Sequence, residues 1–420
     1  IGMAVYDHII RFTGMGSINK ISFKFYYFLS LALSIDEYCK SLFKNNSIQA
    51  VIIGELKWLP SSIIFENALV NNSKVYVYGG GTQKIRVRTY SNISERFIHK
   101  SKFSEKLVNF VLKNMKETAL EESRKISLIK YKTELSQSDL FQSPKLFYQH
   151  LRPTSKKTIS KKEISNIYGW DDQKPIIGIF NHSFVDGVFE VEWKVFRDHL
   201  IWFRRTLKFI RDVKSVNWII KEHPYAYKEN YYSPNVGAKT NAEKELNQIA
   251  ADCKHIALFD KKFSSSTLTN CLDAVVTCQG SIGLEYPCLG VPAILASDCY
   301  FSGFGFTNEP RTEAEYFSHL ENIKNLEKYK LSKEQIDKAN IYSYITYILS
   351  LVEVPLLPDF KEKDSGDELF WFRMIDNIKN HNYADDYLYK MIKKQIKEKN
   401  RHTFDFDLLK SYSQKSTFAL

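Results

Sequence analysis

The segment Cys271 to Leu295, CLDAVVTCQGSIGLEYPCLGVPAIL, constrains the fold more than any other stretch of this 420-residue chain. Leu272 to Thr277 carries the paired β-branched Val275 and Val276 and the small Ala274 of a short buried strand. Gln279-Gly280-Ser281 breaks that pattern, and Ile282, Leu284 and Glu285 begin a helix. Gly290 and Pro292 punctuate its end, and Ala293-Ile294-Leu295 opens a second strand. The unit is β-α-β, with a small-residue turn aimed at a helix start. Such a turn presents backbone N–H groups at the positive end of the helix dipole, which suits a phosphate, each contact contributing about 0.3–1 kcal/mol. Glu285 falls one turn past Ser281 on the same face, within reach of a ribose hydroxyl. An ordinary crossover whose glycine merely turns the chain fits the same spacing.

A second strong strand, Lys174 to Phe180 (KPIIGIF), delivers Asn181-His182-Ser183-Phe184-Val185-Asp186-Gly187 to its carboxyl end. That is where open α/β sheets hold ligands. An amphipathic helix is expected over 190–213, followed by a strand from Asn217 to Ile220 running into Lys221-Glu222-His223-Pro224. A histidine at a strand terminus, fixed by proline, can donate to a phosphate oxygen or simply satisfy its own loop. In a parallel sheet His182 with Asp186, His223, and Gly280-Ser281 with Glu285 converge on one crevice, a stronger signal than any of them alone.

The first half shows the same alternation more weakly. Ala50 to Ile53 reads as a strand closed by Gly54-Glu55, a helix runs from Pro60 through Ala68, and Lys74 to Tyr78 forms the next strand, ended by Gly79-Gly80-Gly81. The triple glycine lacks dinucleotide-fingerprint spacing; it lets a backbone approach a ligand or a neighbouring strand. Glu55, at a strand's carboxyl end, is a candidate base on the acceptor side, or a solvated loop carboxylate. Residues 91–151 read as polar helix, and the Ser/Thr/Lys-rich run 153–163 as an interdomain linker.

Length suits two domains: 1–152, a Rossmann-like acceptor-side domain, and 164–355, a Rossmann-like donor domain, with helices over 356–420 expected to pack back on the first. The net charge of +11 points to an anionic partner: nucleotide, acidic glycan, nucleic acid or membrane surface. The cysteines show no C-x-x-C pair or His cluster, which argues against zinc and for a reducing compartment. The longest apolar stretch, Phe25 to Ile35, is too short to span a bilayer, so a cytoplasmic chain is expected, peripheral at most to the inner membrane. No RNP, zinc or helix-turn-helix signature supports nucleic acid as a partner.

The segments FNHSFVDGVF, VNWIIKEHPY and DAVVTCQGSIGLEYPCLGVPAI resemble bacterial capsule and surface-polysaccharide glycosyltransferases, close in pattern to the retaining β-Kdo transferases. The HP and S-x-x-x-E elements are also similar to those of bacterial sialyltransferases that use CMP-sugars. The resemblance covers about 174–310. It implies an α/β GT-B fold, two Rossmann-like domains facing each other across a cleft. It further implies His223 and Ser281 on the donor phosphate, flanked by Pro224, Lys221 and Gln279, with Gly280 admitting the backbone and Glu285 on the ribose. Asp186 is then the catalytic carboxylate, as nucleophile in a retaining enzyme or base in an inverting one, and His182 orients it or meets the leaving phosphate. Glu55, Gly79 and Gly80 fall on the acceptor side. The donor expected is CMP-Kdo or a related CMP-ulosonic acid, and the acceptor a glycan or glycolipid of capsule or lipopolysaccharide. No cofactor and no metal are expected, because helix dipole and histidine neutralise the leaving group. The late Asp405-Phe406-Asp407 matches the D-x-D of metal-dependent transferases only superficially. A CDP-polyol phosphotransferase of the teichoic-acid type and a non-catalytic nucleotide- or glycan-binding protein remain as alternatives.

Overall fold

In the computed structural model, residues 1–80, 84–133, 156–223, 239–354, 356 and 368–412 are described. Nine strands are present among them: β1 (Ala50–Ile53), β2 (Lys74–Gly80), β3 (Lys84–Tyr90), β4 (Ile176–Phe180), β5 (Asn217–Lys221), β6 (Ile256–Leu258), β7 (Ala274–Thr277), β8 (Ala293–Leu295) and β9 (Val352–Glu353). They form two sheets with helices packed on them, the α/β layout expected.

The larger sheet is all parallel, in the order β6-β5-β4-β7-β8. The chain winds outward from β4 through β5 to β6, then returns across β4 to lay down β7 and β8, so the order reverses between β4 and β7. Ligand-binding crevices open at such reversals, outside the strand carboxyl ends. Every residue of β4, β7 and β8 is buried, because helices cover both faces and a two-sided strand has no polar side. On one face Ile177, Ile179, Trp218, Ile220 and Val276 pack against Trp202, Phe203 and Leu207. On the other, Ile176, Phe180, Ile219 and Val275 meet Leu268, Leu272 and Tyr286.

The smaller sheet has the order β1-β2-β3-β9. β1, the helix Ser61–Val70 and β2 make a parallel β-α-β unit, with Val51 opposite Val75 and Ile53 opposite Val77. Two departures from the sequence expectation follow. The glycines do not end β2, which continues through Gly80. β3, which the sequence pattern does not announce, then returns antiparallel, pairing Gly79 with Arg86 and Gly80 with Ile85. Gly81 lies outside the described residues. β3 is hard to see because its inward residues include Arg86 and Arg88, both almost fully buried. Neighbouring oxygens receive part of each guanidinium: Arg88 donates to the carbonyls of His99 and Lys102 at 2.8 and 2.9 Å, and Arg86 to the Thr346 carbonyl and the Ser101 hydroxyl.

The helix expected over 190–213 is shorter, His199–Ile210, because Asp198 caps it: the Asp198 carboxylate accepts the Ile201 N–H at 2.8 Å. Residues 184–198 instead run as turns whose apolar side chains Phe184, Val185, Val188 and Phe196 are buried one by one. The start of the expected linker, 153–155, lies outside the described residues. From Ser160, a capping box with Glu163 begins the helix Lys161–Tyr168. β9 and residues 401–403 return to the smaller sheet, where Ile85 pairs with Val352 and the Thr403 N–H donates to the Val87 carbonyl at 2.9 Å. Among the described residues no helix is long and apolar enough to cross a membrane.

Candidate active site

The carboxyl ends of β4, β5 and β7 are stitched together by polar side chains. Phe180 lies opposite Lys221 on one side and Thr277 on the other. Asn181, buried just past β4, accepts the His223 N–H at 2.8 Å on its side-chain oxygen and donates its own N–H to the Lys221 carbonyl at 3.2 Å. On the opposite flank the Thr277 hydroxyl donates to the Phe180 carbonyl at 3.0 Å. Strand ends that would otherwise splay are thus held in register at the crevice.

Three imidazoles stack across this edge. The His182 ring lies 4.5 Å from that of His199 and 5.7 Å from that of His223, with interplanar angles of 25° and 28°. Burial favours the neutral form of each: it lowers His182, drives His199 well below its ordinary value and brings His223 down to about 3. The stack is therefore uncharged near neutrality, and its members act as hydrogen-bonding groups rather than cations.

Asp186 faces this stack, its Oδ2 3.9 Å from His182 Nδ1. Its Oδ1 accepts the Gly187 N–H at 2.9 Å and lies 3.4 Å from Lys57 Nζ. Burial pushes the Asp186 carboxyl up, but Lys57, His182 and the Gly187 N–H together overcome it and hold it well below the usual carboxylate range. Lys57 comes from the loop between β1 and the helix Ser61–Val70, and its Nζ also lies 3.5 Å from Glu190 Oε2. Burial alone would lower the Lys57 ammonium; Asp186, Glu190, Glu55 and Asp7 outweigh it and raise it. Glu190 responds oppositely to Asp186: burial raises its carboxyl, with Lys57 only partly opposing.

Glu55 folds back on its own turn, accepting the backbone N–H of Leu56 at 2.8 Å and of Lys57 at 3.2 Å, so it shapes the loop that presents Lys57. Gly79 lies in β2, where an added Cβ would meet the Lys100 side chain at 3.3 Å; Lys100 in turn acts electrostatically on Glu190. Asp7 ties the first helix, Gly2–Thr13, to the loop after Asp186 by accepting the N–H groups of Val188 at 2.9 Å and Phe189 at 3.3 Å.

The expected donor residues divide into two groups. His182, Asp186 and His223 share the cluster just described. Lys221, at the end of β5, places Nζ 5.8 Å from the centre of the Phe259 ring. Pro224 lies outside the described residues. Ser281 and Glu285 engage each other: the Ser281 hydroxyl donates to Glu285 Oε1 at 2.7 Å, and Glu285 is buried at the start of the helix Ile282–Cys288. Gln279 and Gly280 form the turn before them, and a Cβ on Gly280 would sit 2.7 Å from the Thr277 hydroxyl oxygen. Asp405 of the D-x-D is a helix cap, accepting the Leu408 N–H at 2.9 Å. Among the described residues no three His, Cys, Asp or Glu side chains are placed to share a metal ion.

Lys57, Glu190, His199 and Asp7 were not singled out from sequence. The one local signal was the spacing of Glu190, four residues beyond Asp186 in the same loop.

No protein-family model matches the chain, and neither does any curated protein. Among solved structures it is similar to two Thermosulfurimonas dismutans proteins described as KpsC. The beta Kdo 2,4 transferase has a TM-score of 0.39 and 10% identity, covering 70% of this chain and 78% of that one. The beta Kdo 2,7 transferase has 0.33 and 13%, covering 73% and 80%. A UDP-GlcNAc 2-epimerase from Neisseria meningitidis, bound to UDP-GlcNAc, has 0.33 and 13%, covering 79% and 81%. All three are distant similarities, and the chemistry has to be read from the side chains themselves.

Proposed function

We propose that this chain is a glycosyltransferase that moves a sugar from a nucleotide-activated donor, CMP-Kdo or a related CMP-ulosonic acid, to a bacterial capsule or lipopolysaccharide glycan. The observation that carries this reading is Asp186, a carboxylate held ionised at the sheet's reversal point beside a neutral histidine stack. A carboxyl with so low an affinity for protons is a poor general base near neutrality, since a base works best with a pKa near the operating pH. It is ionised at every working pH, so a lone pair is always available for attack, and it is a good leaving group. Asp186 therefore attacks the anomeric carbon, the nucleotide phosphate departs with the bonding electron pair, and a glycosyl ester on Asp186 results. His223 donates a hydrogen bond to the departing phosphate, and the turn at Gln279, Gly280 and Ser281 receives it from the other side.

The test is release of CMP from CMP-Kdo, with and without a glycan acceptor, by the wild-type chain and by Asp186→Ala. Release by the first and not the second, with an equal CMP-induced rise in melting temperature in both, supports the reading. Melting shifts with UDP or GDP but not CMP would overturn the donor.

The reading extends to a membrane surface. The helix Phe23–Asn45 exposes Phe23, Tyr26, Tyr27, Leu33 and Tyr38, beside Lys20 and Lys24. Aromatic and basic residues on one exposed helix suit an anionic lipid interface, where a glycolipid acceptor is found. Sedimentation with vesicles containing anionic lipid, abolished by Phe23→Ser with Tyr27→Ser, is the expected result; equal sedimentation of the variant would remove the helix from that role.

A further inference from the structure

Neighbouring residues of the first helix, Gly2–Thr13, hold the two loops that meet in the Lys57–Asp186 pair. Toward the larger sheet, Asp7 Oδ1 accepts the Val188 N–H at 2.9 Å and its Oδ2 accepts the Phe189 N–H at 3.3 Å. These are the two amides that follow Gly187. The Tyr6 hydroxyl donates to Asp198 Oδ2 at 2.7 Å, and its ring meets that of Phe189 edge-on at 5.4 Å. Toward the smaller sheet, His8 Nδ1 accepts the Leu59 N–H at 3.4 Å, and the Arg11 guanidinium covers the Trp58 ring at 3.5 Å. Val5 and Ile9 join Phe28, Ala32 and Ile63 in one apolar cluster, which seats the helix on the first half of the chain. Lys57 directly precedes Trp58, and Asp186 directly precedes Gly187. One helix therefore carries both ends of an ion pair whose atoms lie 3.4 Å apart, and a helix sets such a distance more accurately than loops alone.

We propose that Asp7 is a positioning residue: as a carboxylate holding two successive amides it fixes the turn that presents Asp186, and it releases that turn when protonated. The inference rests on the glycosyltransferase reading and adds a pH-dependent control of the same site. N–H groups bond a charged carboxylate more strongly than a neutral acceptor. Protonation replaces one accepting oxygen by an O–H, which faces an amide that can only donate. Burial raises the Asp7 carboxyl to about 6, against the two amides, Lys57 and Lys194. Lys194, itself brought down to about 8 by burial, is still charged in that range. Glu66, Arg96 and Glu190 line the small cleft beside Asp7, with Glu66 and Arg96 paired to each other. On its own helix stand Arg11 and His8, whose imidazole burial keeps neutral. The hold on Val188 and Phe189 is thus present above about pH 6 and is lost as pH falls through it.

Two readouts test this between pH 5 and pH 8: the rate of CMP release from CMP-Kdo, and hydrogen-exchange protection of the segment 186–190, which needs no turnover. In the wild-type chain both are expected to fall as pH drops through about 6. Asp7→Asn keeps the side chain's shape and cannot ionise. Its kcat should be lower by about 10- to 100-fold at pH 8, the cost of a misplaced reacting group, with KM for the donor unchanged. The acid limb should vanish, and the segment should exchange rapidly at every pH. Lys194→Gln removes a charge that opposes protonation of Asp7 and should move both transitions to higher pH. Tyr6→Phe frees the helix from Asp198 without touching the two amides, and should lower the melting temperature while leaving the limb in place. An unchanged limb in Asp7→Asn, or wild-type protection that is flat through pH 6, would overturn the assignment. If Asp7→Asn does not fold, Lys194→Gln decides, and transitions that stay where they were would overturn it. Failure of the wild-type chain to turn over any nucleotide sugar would take down the glycosyltransferase reading, while the exchange transition would still report on Asp7.

Discussion

Lys57 and Asp186 are 129 residues apart in sequence, yet Lys57 Nζ lies 3.4 Å from Asp186 Oδ1, joining the loop after β1 to the carboxyl edge of the larger sheet. The same ammonium lies 3.5 Å from Glu190, so one cation serves two carboxylates. Three-quarters or more of each of these side chains is out of solvent, which makes the arrangement sensitive to loss of any member.

Lys57→Met is expected to destabilise the chain by about 3–5 kcal/mol at pH 7, the cost of stranding buried charge. Asp186 has a depressed carboxyl in the folded state, so its contribution to stability is present above its unfolded value of about 3.9 and is lost as pH falls toward the folded one. Without Lys57 that carboxyl rises instead. The stability gap between variant and wild type should therefore narrow between pH 7 and pH 5 in urea titrations; a constant gap would contradict the pairing.

The three stacked imidazoles are all depressed, His223 to about 3. Their contribution is present above the unfolded value of about 6.5 and is lost as pH falls below it, each group adding up to about 1.4 kcal/mol per pH unit. Wild-type melting should decline steeply from pH 6.5 toward pH 4, and His199→Phe should flatten that decline. Proton NMR should show the His223 ring neutral throughout this window.

Burial raises the Glu190 carboxyl above its ordinary value, with Lys57 only partly opposing. A carboxyl raised in the folded state costs stability above its unfolded value of about 4.3, and the cost is relieved as pH falls. Glu190→Gln should therefore gain stability relative to wild type near pH 8, and the gain should shrink toward pH 5 in urea titrations; a loss of stability across the whole range would contradict burial as the dominant effect.

Gly187→Ala would bring a Cβ within 2.7 Å of Lys57 Cδ. The lysine stem must move, and with it the ammonium that orients Asp186. Transfer should drop by 10-fold or more while the melting shift induced by CMP is retained. Gly280→Ala crowds the Thr277 hydroxyl instead, disturbing the turn at the donor phosphate, and should weaken CMP binding more than it slows the chemical step.

The parts of the site that lie at strand ends were legible in the sequence. β4, β5, β7 and β8 are apolar runs closed by His182, His223 and the Gly280 turn, and a parallel sheet leaves those ends nowhere to go but one edge. The parts supplied from across the cleft were not. Lys57 sits in a loop shaped by Glu55 accepting its backbone N–H, and Asp7 in a helix, and nothing in their local pattern announces a partner more than a hundred residues away. β3 is not announced in the sequence for a related reason: Arg86 and Arg88 alternate through it, and the oxygens that receive them, including the Thr346 carbonyl for Arg86, are known only from the fold. The extent of the 190–213 helix was overestimated because Asp198 acts as a cap, and the apolar residues before it anchor separate turns.

The pairing of β3 with Val352 and Glu353, and with residues 401–403 beyond them, has a consequence for synthesis. A ribosome releases β1, β2 and β3 long before it makes the strand and carbonyls that complete their sheet. Until then the edge of β3 is open and Arg86 lacks the Thr346 acceptor, so the first half waits as an unfinished surface while the larger sheet, contiguous in the chain, closes on its own. Completion of the smaller sheet thus waits on residues 346–403, made after every strand of the larger one.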